Sequence, residues 1–190
     1  MPYIEGDDLH PKSNVEKMSS GNPLNDADRE PWLELIRTTA EQKIVEQQSD
    51  KPTKVGSPCH GVVITCSSLK KYYREILRGQ RKPASKEAKI PEHLEPADPS
   101  VFPTYFVFIE GSRDTLLDRM EKRPGHFMKA SMLDSQLNTL ESPVGEDGVV
   151  VVSMEDSTEV QIEKAKEQLV KIAEPYFKEY IAKGREGENV

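Results

Sequence analysis

Three runs, "GVVITC" (Gly61–Cys66), "YFVFIE" (Tyr105–Glu110) and "GVVVVS" (Gly148–Ser153), are almost continuously apolar, β-branched or aromatic. A strand with one wet face alternates polar and apolar residues. A strand without that alternation is buried on both faces, as in a parallel sheet covered by helices. A shorter run of the same kind surrounds Tyr3–Ile4.

Helical patterns separate these runs. "PWLELIRTTAEQKIVEQQ" places Leu33, Ile36, Ala40 and Ile44 at three- and four-residue spacing, with Pro31 expected in the first turn and Asp28 as its cap. "SLKKYYREILRG" has Ser68 before it and Gly79 after it. "SRDTLLDRMEKRPG" starts at a capping serine and stops at Pro124-Gly125, and "ASMLDSQLNTLE" carries Met132, Leu133, Gln136, Leu137 and Leu140 on one broad face. A last helix is expected from Thr158, with Gln161 completing a capping box and Ile162, Ala165, Leu169 and Ile172 facing inward. Alternating strands and helices predict an α/β fold with a parallel sheet, flanking helices and right-handed crossovers, in one domain over residues 1–183. "GQRKPASKEAKIPEHLEPADPSVFP" (Gly79–Pro103) has almost no apolar periodicity and is expected to be a mobile surface insertion. The tail 184–190 is expected to fray. No internal repeat is visible.

The formal net charge of −7 argues against a nucleic-acid partner. Cys59 and Cys66 fit no zinc spacing, and the four histidines (His10, His60, His93, His126) show no short ligand pairing, so no protein-only metal site is expected. "MPYIEGDDLH" has neither a basic nor an apolar signal-peptide region, and no apolar run reaches membrane-spanning length. A reduced, cytoplasmic chain is the expectation.

Ligands of parallel sheets bind beyond the carboxyl ends of the strands. Glu5 and Asp7 follow the first strand; their spacing puts them on one side of an extended chain, where an acid can orient a hydroxyl and accept its proton. The same residues also make an ordinary turn. Lys70, Lys71, Arg74 and Arg78 form a basic stripe at helical spacing, suited to an anion or simply to solvent. Arg119, Arg123 and Lys129 flank the Pro-Gly break, as in a helical hairpin that closes over phosphates, or at a basic helix end.

Together, "GDDLHPKSNVEKMSSGNPLNDADREPWL", "CSSLKKYYREILRG" and "KRPGHFMKASMLDSQLNTLESP" resemble gluconokinase, a family of small P-loop sugar-acid kinases related to shikimate and adenylate kinases. The resemblance spans most of the chain outside Gly79–Pro103. It implies a three-layer P-loop kinase-like architecture with a helical lid, and ATP-dependent phosphorylation of D-gluconate with Mg²⁺ on the nucleotide phosphates. By that resemblance Asp7 is the catalytic residue that holds and orients the sugar hydroxyl, and Glu5 sits near the Mg²⁺ waters. His10, Lys17 and Arg74 line the gluconate pocket, with Arg74 on the carboxylate. Arg119 and Arg123 reach ATP phosphates, and Asp156 and Ser157 lie near the adenine. A homodimer is left open, as are an acceptor that is another sugar acid and a non-catalytic role beside a full-length kinase.

Members of that family open with a central strand and a G-x-x-x-x-G-K-[ST] phosphate loop. No Gly-Lys-Ser or Gly-Lys-Thr occurs in these 190 residues. The expectation is a gluconokinase sequence truncated at its N-terminus, lacking the first strand and phosphate loop. A late start or omitted exon is favoured over a short form that has lost ATP binding, and this chain alone is expected to turn over little gluconate.

Overall fold

The structure, a computed structural model, describes residues 1–49, 60–83, 102–122 and 130–186, without the side chains of 48–49, 130–131 and 177–186. It divides into two compact units. One comprises Met1–Pro103 with Pro124–Ser142, the other Thr104–Arg123 with Pro143–Val190.

In the first unit, strand β1 (Tyr3–Glu5) pairs in parallel with β2 (Val63–Thr65), placing Tyr3 opposite Val63 and Glu5 opposite Thr65. A single 3₁₀ turn, Gly6–Leu9, leads through Pro11 into helix α1 (Lys12–Ser19). The sequence reading missed α1, whose residues lack a strong apolar period. Gly21, at φ 82°, closes it, with Gly21 N–H donating to Met18 O and Asn22 N–H to Lys17 O.

Helix α2 (Asp26–Ser49) begins earlier than expected. Asn25 Oδ1 accepts from Asp28 N–H at 3.0 Å while Asp28 Oδ2 accepts from Asn25 N–H at 2.8 Å. Asn25 is thus the cap, and Asp28 is the returning acid of a capping box. Pro31 accordingly lies inside the helix, where it forgoes the amide bond to Ala27. Helix α3 (Lys71–Leu77) is closed by Gly79 at φ 70°, as the sequence predicts. Its first amide, Lys71 N–H, donates to the Glu141 carboxylate at 2.7 Å rather than to the expected Ser68. Helix α5 (Ala130–Thr139) contributes the buried Met132 and Leu133 to a core with Trp32, Leu33, Ile36, Tyr73, Ile76 and Leu77.

In the second unit, β3 (Phe106–Glu110) pairs in parallel with β4 (Val149–Ser153). Helix α4 (Arg113–Lys122) starts at the predicted Ser112 cap, which accepts from Thr115 N–H at 3.1 Å. Helix α6 (Thr158–Glu186) packs on β4 and includes part of the tail expected to fray. Its cap is Ser157, whose Oγ accepts from Val160 N–H. Gln161 reaches back to the carbonyls of Ser153 and Asp156 instead of forming the box expected with Thr158. Of the expected inner face, Ala165 and Leu169 are half-buried, whereas Ile162 and Ile172 are exposed and the neighbouring Ala173 is buried.

Among the described residues the strands form two separate parallel pairs, β1-β2 and β3-β4. In this second pair Val107 and Ile109 are 42% and 47% exposed, while their register partners Val150 and Val152 are 1% and 2% exposed. Residues 84–101 of the expected insertion and 187–190 of the tail lie outside the described residues.

Gly6 is where the first unit permits no side chain. A Cβ there would sit 2.3 Å from Thr65 O and 3.0 Å from Cys66 Cβ. Gly6→Ala must push β2 away, at a cost of about 1–3 kcal/mol, the scale of an overpacked core. Urea unfolding should show a lower midpoint for Gly6→Ala; an unchanged midpoint contradicts the close approach.

Candidate functional site

The site grows from the end of β1. The backbone stops being extended at Gly6, so the two-residue spacing of Glu5 and Asp7 does not put them on a shared strand face. Glu5 stays on the sheet, where it accepts from Thr65 Oγ1 at 2.6 Å and Tyr3 Oη at 2.7 Å. Asp7 rides on the turn, its side chain 64% exposed, with Oδ1 3.8 Å from His10 Nε2. Both carboxylates act on the Cys66 thiol. Burial first, then Asp7 and Glu5, pushes it up to about 12, so it stays a neutral thiol.

His10 lies flat on Trp32, with ring centroids 4.0 Å apart and planes 17° apart. Trp32 is fixed in turn by its indole N–H, which donates to Gly6 O at 2.8 Å. Burial, then the nearby Arg29 guanidinium, lowers His10 to about 4, so the ring is neutral at physiological pH. One turn into α1, the buried Asn14 donates to Asp28 O at 2.8 Å. Three residues on, Lys17 donates to the Asp28 carboxylate. Burial alone would raise Asp28; the Lys17 bond, the Asn25 amide and the charges of Lys17 and Arg29 outweigh it and hold the carboxyl low. The first turn of α2 is therefore tied to α1 at both Asn14 and Lys17, beside His10. Neither Asn14 nor Trp32 was singled out from the sequence. A lone tryptophan two turns after a polar stretch was the available signal.

The basic stripe is divided by the fold. Lys70 is bound at 2.8 and 2.9 Å to the two oxygens of Asp26, whose carboxyl is held low by Lys70 and then Tyr73. Arg74 is 1% exposed. Its Nη1 donates to Ser68 O at 2.8 Å and to Leu69 O at 3.3 Å, and its Nη2 to Glu141 O at 3.1 Å. Glu141 N–H donates back to Leu69 O at 2.8 Å. Arg74 thus ties the loop after β2 to the end of α5, with those donors turned to main-chain carbonyls.

The remaining predicted residues belong to the second unit. Arg119 donates to Met154 O at 2.5 Å. Asp156 pairs with Lys164 at 2.6 Å, and Ser157 caps α6. Arg123, Lys129, Cys59, His93 and His126 lie outside the described residues. The chain has no Gly-Lys-Ser/Thr loop, the Glu5 carboxylate is engaged by Tyr3 and Thr65, and no group of three or more potential metal ligands occurs among the described residues.

Comparison with known proteins places this arrangement. The chain is 42% identical over 162 residues to the gluconokinase of Gluconobacter oxydans, covering 85% of this chain and 73% of the relative. It is 34% identical to the thermoresistant gluconokinase of Escherichia coli, over 83% of this chain and 72% of that one. The chain belongs to the gluconokinase family. The crystal structure of a gluconokinase from Sinorhizobium meliloti superposes with a TM-score of 0.64 at 36% identity, covering 94% of this chain and 82% of the other. No family model matches. The fold is accordingly that of the P-loop kinases related to gluconokinase, and the family is one of phosphotransferases.

The buried His10 makes a pH prediction. Its folded value lies below its ordinary one, so the unfolded chain takes up a proton that the folded chain refuses. The resulting stability is complete above about pH 6.5, the ordinary histidine value, and is lost as pH falls toward 4. Asp7, at 3.8 Å, and the Arg29 guanidinium are charged groups that act on the ring. Urea midpoints measured between pH 7 and 4 should fall, and fall less in His10→Gln; identical profiles contradict a buried neutral ring.

Proposed function

We propose that this chain carries the acceptor-binding half of a gluconokinase: phosphorylation of D-gluconate to 6-phospho-D-gluconate, with ATP as donor, feeding gluconate into the pentose phosphate pathway in the cytoplasm. The supporting observation is the interlocked set Asp7, His10, Asn14, Lys17 and Asp28 at the carboxyl end of β1 in a chain of this family.

Gluconate presents a row of hydroxyls and one carboxylate. Asp7 is exposed at a strand end, where a carboxylate accepts the proton of the hydroxyl that is to be phosphorylated. His10 and Lys17 supply polar contacts from the turn and from α1. Arg74 serves the site by fixing the Ser68–Leu69 loop through its carbonyl contacts. ATP with Mg²⁺ supplies the phosphoryl group, and Arg119, Arg123, Asp156 and Ser157 are the residues proposed to face the nucleotide. A second reading is that the chain acts as a non-catalytic partner of a complete kinase.

A coupled assay of 6-phosphogluconate formation separates these readings. The 190-residue chain alone should show little turnover. Fusion of a strand–G-x-x-x-x-G-K-[ST]–helix unit ahead of residue 1 should bring activity, which Asp7→Asn should lower by about 10²-fold or more. Full activity of the chain alone contradicts the need for that unit. A folded fusion that binds ATP without phosphorylating gluconate contradicts the proposed reaction.

A further inference from the structure

The amide of Asn14 is oriented by a group that can only accept. Its Nδ2 lies 2.8 Å from the main-chain carbonyl of Asp28, so the NH₂ end must point there. The same nitrogen lies 3.4 Å from His10 Nδ1. An amide NH₂ has a second hydrogen and no lone pair to offer, so His10 Nδ1 must be the acceptor. In a neutral imidazole only one nitrogen carries hydrogen, and a bare Nδ1 places it on Nε2. Nε2 is the atom turned toward Asp7 Oδ1, at 3.8 Å. That gap is too long for a direct hydrogen bond. The ring lies stacked on Trp32, which fixes its plane.

We infer that Asn14 is a positioning residue: it holds His10 in the tautomer that presents Nε2–H toward Asp7. Given the gluconate site proposed above, His10 then donates to a substrate oxygen and Asp7 is the one proton acceptor of the pair. The division of roles is set by the Asp28 carbonyl, acting through one buried amide. Asn14 is only 4% exposed, and its role is to orient the ring, not to touch the acceptor.

Long-range ¹H–¹⁵N correlation spectra of the His10 ring test this on the intact chain at neutral pH, without any need for turnover. The expected wild-type pattern is a protonated, pyrrole-like Nε2 and a bare, pyridine-like Nδ1. Asn14→Ala should move both nitrogens toward averaged positions. Asn14→Asp, which replaces the donor by an acceptor, should draw the proton to Nδ1 and raise the midpoint of the ring. A wild-type ring protonated at Nδ1 overturns the inference even if neither variant folds, and so does a folded Asn14→Ala or Asn14→Asp with the wild-type pattern. Addition of D-gluconate to the wild-type chain should shift the Nε2 resonance. A missing shift counts against the proposed substrate, while the tautomer pattern still decides the role of Asn14.

Discussion

The close approach of the chain at Gly6 is the constraint on which the acceptor side depends. The missing side chain lets the turn lie against Thr65 O, and the freed carbonyl of Gly6 accepts the indole of Trp32. Trp32 is almost wholly buried and offers its face to His10. One small residue thereby couples β1, β2 and α2, and sets the platform on which a neutral imidazole rests. Burial that would be costly for a charged ring costs little for a neutral one. The polar atoms that enter the core with it are answered by Asn14, Asp28 and Lys17.

The same logic explains the cations. Lys17 and Lys70 are matched by Asp28 and Asp26, and Arg74 by three carbonyls. The two acids belong to the first turn of α2, where carboxylates also oppose the positive end of the helix dipole. In a chain of net charge −7, local pairing of this kind holds these basic groups in place. Arg74 illustrates how a guanidinium can matter to a site by holding main chain, because its fork satisfies carbonyls that the bend after β2 leaves without helix or sheet partners.

Much of the fold was legible. Four strands fall within the predicted runs, since continuous β-branched residues have few other uses, and Ser112 and Gly79 end their helices as read. Helix starts were read less well. Asp28 looked like a cap because acids favour both the cap and the third helical position, and only Asn25 in three dimensions decides between them. The capping of α3 by Glu141, seventy residues away, has no local signal at all. In the site, Asp7 and His10 were visible as polar residues beyond a strand, and the family resemblance gave them roles. Asn14 was not visible, because its function lies in the direction of one amide. The inner face of α6 was legible at Ala165 and Leu169 and not at its ends, Ile162 and Ile172: periodicity fixes a stripe's spacing, whereas which end is covered depends on what packs against it.

The central claim is that the turn after β1 faces gluconate. Trp32 is the only tryptophan in the chain and lies directly under His10, so its fluorescence reports this turn alone. A titration of the chain with D-gluconate, set beside D-glucose, which lacks the carboxylate, tests the claim most directly. A saturable change with gluconate that is much weaker with glucose and lost in Lys17→Met is the result expected. A flat response to gluconate in the folded chain, or equal responses to both sugars, would contradict it.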